Sequence, residues 1–77
     1  MKAYEEIIEF IASGSTPDTL VAFRPSAATK HRVAALIDLE KNSSLSIEEE
    51  SELDHYMQLE HLMRLAKARA HQYVANE

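Results

Sequence analysis

The sequence predicts an all-α protein of three helices, the last one long, with a short extended segment between the first two. Three observations predict it. From Ile47 to Ala75 there is neither glycine nor proline, and apolar residues recur at Tyr56, Leu59, Met63, Ala66, Ala70 and Tyr73, in steps of three and four. Both prolines and the single glycine lie ahead of Ser26, so chain breakers are confined to the front. Ser46-Ile47-Glu48-Glu49 is a capping box: Ser46 can accept from the Glu49 amide, and the Glu49 carboxylate can reach back to the Ser46 amide.

Residues 3–13 are expected to form the first helix. Tyr4, Ile7, Ile8 and Ile11 share a face with Phe10 at its edge, while Glu5, Glu6 and Glu9 suit the positive end of the helix dipole. Gly14 is placed to end it as the C′ residue. Ser15-Thr16-Pro17-Asp18 is a turn, followed by the β-branched and apolar run Thr19–Phe23. That run reads either as a strand-like segment over 19–23 or as a helical turn started by Pro17 with Thr16 as cap. The extended reading is preferred because Pro25 drives Arg24 out of the α region.

Ser26 caps the second helix, 27–41, whose apolar centre is Val33, Leu36 and Ile37, with Ala34 and Leu39 alongside. A short loop at Asn42–Leu45 makes the second and third helices antiparallel neighbours. The third helix, 47–75, spans about 43 Å at ~1.5 Å per residue. Its stripe takes in Leu62 beside the six residues already named. The stripe is wider than a strict coiled-coil seam and favours bundle packing. Ala66 and Ala70 would let another backbone come close. A helix of this length against a short second helix implies self-association, and the expectation is a homodimer through the stripe. Charge along the helix is segregated: Glu48, Glu49, Glu50, Glu52 and Asp54 precede Arg64, Lys67 and Arg69. Dipole complementarity explains this, and an antiparallel dimer would explain it as well. Glu60 and Arg64 form an i,i+4 pair with Lys67 one turn on, and this charged row is the candidate partner-binding surface.

A chain of 77 residues is read as one domain, 1–77, of marginal stability. A net charge of −5 argues against non-specific nucleic-acid binding. With no cysteine there is no disulfide or thiolate metal site. Residues 1–6 lack a secretory signal and no apolar run approaches ~18 residues, so the expected location is cytoplasmic, with no membrane span.

Phosphate loops, serine elbows and zinc-helix motifs are absent, and one small domain has little room for an enclosed pocket. The expectation is a non-catalytic chain without cofactor. Glu52 and His55 at i,i+3 are half of a di-iron motif, the one metal candidate. His55 otherwise reads as a core-edge histidine, with His61 on the polar face and His71 near the C-terminal end. Lys30, His31 and Arg32 make a small basic cluster that, with Arg64 to Arg69, supports an alternative nucleic-acid-binding regulator. The three tyrosines, Tyr4, Tyr56 and Tyr73, read as core packing, not as a base-stacking platform.

The run Leu45–Tyr56, continued by Leu59-Glu60-His61-Leu62-Met63-Arg64-Leu65-Ala66-Lys67-Ala68-Arg69-Ala70, resembles a set of short uncharacterised bacterial helical proteins. These share an E-L-D-x-Y-x-x-L-E-H-x-x-R-L-x-K-A-R-A pattern. Ala22-Phe23-Arg24-Pro25-Ser26 and the Val33–Glu40 helix are similar too, so the resemblance covers about residues 20–72. Genes of this set often lie beside HNH-type nuclease or toxin-like genes. The resemblance therefore implies an antitoxin-like or accessory role toward a partner encoded nearby, and carries over no established activity.

Overall fold

The computed structural model describes residues 2–75. Four helices follow one another: α1 Glu5–Ala12, α2 Pro17–Ala22, α3 Ala27–Asn42 and α4 Ile47–Ala75. The chain is all-α with a long last helix. The molecule measures 49 × 21 × 19 Å, and α4 sets its long axis.

Helix α1 opens from a turn in which the Glu5 amide donates to the Lys2 carbonyl. It stops where Gly14 takes a left-handed φ of +89°. The face it buries is rotated from the expected one. Ala3 and Ile7 are fully buried with Tyr4 and Phe10 beside them, whereas Ile8 and Ile11 stand exposed. The rotation follows the aromatic partners: Tyr4 packs on His55 at 5.3 Å between centroids, and Phe10 stacks on Phe23 at 4.4 Å.

The extended segment expected at 19–23 is a helix instead. Thr16 and Thr19 cap it reciprocally: the Thr19 amide donates to Thr16 Oγ1 at 3.3 Å, and the Thr16 amide donates to Thr19 Oγ1 at 2.8 Å. Pro17 occupies the first turn, where its missing amide costs nothing. The restraint from Pro25 acts on Arg24 alone and leaves the upstream turn free to be helical. Only Phe23, at the end of the helix, is extended.

Ser26 caps α3 by accepting from the Thr29 amide at 3.2 Å, and the Ser26 amide donates to the Glu6 carboxylate at 2.7 Å. Leu36 is the fully buried residue of α3, with Val33 and Ile37 partly covered and Ala34 exposed. The Ser46 capping box forms as expected. The Ser46 amide donates to Glu49 at 2.9 Å and the Glu49 amide donates to Ser46 Oγ at 3.1 Å. These bonds hold the Glu49 carboxyl below the usual carboxylate range.

The stripe of α4 is covered from within the chain. Tyr56 and Met63 join Ala3 and Ile7 in one buried cluster, flanked by Leu20, Phe23, Val33 and Leu59. Ala70 is buried and Ala66 partly so. Helix α2 is the main cover on the C-terminal half of α4. Of the seven stripe residues, Leu62 and Tyr73 remain outside, 53% and 61% exposed. The partner that the long helix required is thus largely the front of its own chain. Among the described residues no helix is long and apolar enough to cross a membrane.

Candidate functional site

A cleft of about 270 Å³ opens on α4, walled by α1, the connection between α2 and α3, and the start of α3. Its apolar lining comes from Ile7, Phe23, Pro25, Tyr56 and Met63, and its charged lining from Lys30, Glu60, Arg64 and Lys67. All three residues of the predicted charged row therefore reach one concavity. The row is not a strip of fully solvated charge. Glu60 is partly buried and paired with Arg64, and Lys67 is partly buried with its ammonium turned onto α2.

The Lys67 ammonium donates to the Phe23 carbonyl and lies 5.7 Å from the centre of the Phe23 ring. Arg24 donates to the same carbonyl at 2.7 Å and to the Val21 carbonyl at 3.0 Å. Two cations thus cap the negative end of α2, where free carbonyls concentrate. Burial and then the nearby Arg24 charge lower the Lys67 pKa from its ordinary value. Tyr56 is pushed the other way. Burial first, then the negative charges of Glu60 and Glu6, hold its phenol above the usual range, so a neutral ring and hydroxyl line the cleft at neutral pH.

Sequence spacing carried a signal for Lys67. It stands at i+4 from Met63 and i−3 from Ala70, between two buried stripe residues, which places it on the covered side of α4. The roles of Phe23 and Pro25 carried none, because they depend on how α2 folds back along α4.

The metal candidate resolves differently. Glu52 is 5% exposed, and both carboxylate oxygens are engaged. Arg32 grips it with two bonds, Nε to Oε2 at 3.0 Å and Nη2 to Oε1 at 2.9 Å, and the Ala3 amide donates to Oε2 at 2.9 Å. One carboxylate thereby joins α4, α3 and the lead-in to α1. The Arg32 bonds hold the Glu52 carboxyl below its usual range, outweighing the opposing effect of burial, and the Ala3 amide adds to them. His55 is not brought to this group. Its Nδ1 lies 2.8 Å from the Ser51 carbonyl and its ring packs on Tyr4. Among the described residues no three His, Asp or Glu side chains converge on a shared point. Glu52 lies four residues before Tyr56, so it too falls on the stripe. A carboxylate there required an internal partner.

The Lys30-His31-Arg32 cluster is also divided. Arg32 turns inward to Glu52, Lys30 borders the cleft, and His31 is exposed.

No family model, curated protein or solved structure matches this chain.

Proposed function

We propose that this chain is a non-catalytic protein-interaction module that holds its partner at the cleft on α4. One observation carries the reading: Glu60, Arg64 and Lys67 meet at a single concavity floored by Phe23, Tyr56 and Met63. An apolar, aromatic centre with a charged rim is the anatomy of a contact surface. The buried carboxylate, Glu52, is committed to holding three segments together, which supports a structural use for it. The resemblance of residues 20–72 points to a nuclease or toxin-like partner encoded nearby, and so to an antitoxin-like or accessory role in the cytoplasm. The acidic first turns of α4, Glu48 to Asp54, would attract a basic nuclease surface over a distance.

Co-expression with the product of the adjacent gene tests this. The expected result is co-purification that Arg64→Glu weakens without loss of fold. The absence of a complex at micromolar concentration overturns it.

Self-association along α4 is a second element of the reading. Leu62, Leu65 and Tyr73 leave an exposed apolar strip on the side away from α2. A copy running antiparallel would bring the acidic start of α4 in each chain toward the basic half of the other. Sedimentation velocity is expected to show a dimer that weakens with added salt, and a monomer at micromolar concentration removes this element.

A further inference from the structure

Positive charge is in excess around the cleft, although the chain as a whole carries −5. Lys30, Arg64 and Lys67 line it, and Arg24 meets Lys67 at the Phe23 carbonyl. Glu60 is the one carboxylate of the lining, and Arg64 holds it. Among the described residues neither Lys67 nor Lys30 has a carboxylate within ion-pair reach. Lys67 is thus a partly desolvated cation whose acceptor is a neutral carbonyl, and another cation crowds it. Desolvation without an opposite charge is unfavourable. A carboxylate entering the cleft would gain charge-assisted hydrogen bonds and offset the Lys67–Arg24 repulsion.

We propose that the cleft receives the C-terminal carboxylate and last apolar side chain of a partner polypeptide, an inference that rests on the module reading above. Size favours a chain end. The cleft falls just below the range of about 300–1,000 Å³ typical of small-molecule sites. That is room for one anchoring residue. Spacing favours it as well. A terminal residue carries its carboxylate and its side chain on one Cα. The cleft likewise sets its cations, Lys30 and Lys67, beside its apolar floor, Ile7, Phe23 and Met63.

The test is a nitrogen-15 NMR titration of the full chain with acetyl-Leu-Phe bearing a free carboxylate, and with its C-terminal amide. The acid is expected to shift the amide resonances of Phe23, Met63 and Lys67, and the amide to leave them in place. Lys67→Gln is expected to weaken binding by about tenfold, the loss of one charge-assisted bond. Because Lys67 also caps α2, Lys30→Gln is the control for folding. Lys30 makes no ion pair within the described residues, and its replacement is expected to weaken the acid several-fold with unchanged circular dichroism. Equal binding of acid and amide, shifts that map away from the cleft, or no shift at millimolar peptide would each overturn the proposal. A partner that co-purifies equally with wild type and Lys30→Gln while the peptide fails removes the carboxylate site and leaves the module reading standing.

Discussion

At the residue scale, Glu52 and Lys67 show how a charge on an apolar stripe is accommodated. Both fall on the buried side of α4 by spacing, although for Lys67 its place one turn after the Glu60–Arg64 pair points instead to a charged surface row. Their partners were not legible in the sequence, because Arg32 and Phe23 reach them only through the packing of α3 and α2. The Glu52–Arg32 pair should respond asymmetrically to mutation. Arg32 is 41% exposed and can return to water when Glu52 is changed, whereas Glu52 cannot when Arg32 is changed. Arg32→Met is therefore expected to cost about 2 kcal/mol, below the range of about 3–5 kcal/mol for a fully buried pair because the site is partly screened. Glu52→Gln, which keeps an acceptor for the Ala3 amide, should cost about 1 kcal/mol. Urea unfolding of both variants checks the order. The pH dependence has a definite sign. The folded pKa of Glu52 is depressed, so its contribution is complete above the unfolded carboxylate value of about 4.3. It is lost as pH falls through the lower folded value. Acid titration of stability in that window should flatten in Arg32→Met.

At the element scale, capping chemistry decided more than propensity. The ends of α3 and α4 were readable because Ser26 and the Ser46–Glu49 box act through their nearest neighbours. The same kind of box, Thr16 with Thr19, makes α2 helical despite Pro25, whose effect reaches only one residue back. The face of α1 departs from its apolar periodicity at Ile8 and Ile11 because its orientation is set by Phe10 on Phe23 and Tyr4 on His55, contacts distant in sequence. Ser46→Ala is expected to cost about 1 kcal/mol by removing the cap of α4. Gly14→Ala should cost about 1–2 kcal/mol through its left-handed φ alone, since a Cβ there meets nothing within 4 Å. Thermal melts that leave Gly14→Ala unchanged would mean that the turn after α1 relaxes.

At the scale of the whole molecule, the long helix is both scaffold and contact surface, and its two functions lie on different residues. Met63 is buried among Ala3, Ile7 and Tyr56, so Met63→Glu places an unpaired charge in the core and is expected to unfold the chain. Arg64 is largely exposed and pairs with Glu60, so Arg64→Glu should shift stability by no more than about 0.5 kcal/mol. Circular dichroism of the two variants separates these outcomes. The stripe could be read from the sequence because one periodicity spans it. The cleft could not, because four of its nine lining residues, Ile7, Phe23, Pro25 and Lys30, lie far from α4 in the chain. Binding of a partner at this cleft is tested most directly by NMR mapping of the labelled chain on addition of the neighbouring gene product. Perturbations centred on Phe23, Glu60, Arg64 and Lys67 are the expected result. Perturbations centred instead on Glu48 to Asp54, or spread evenly along α4, would contradict it.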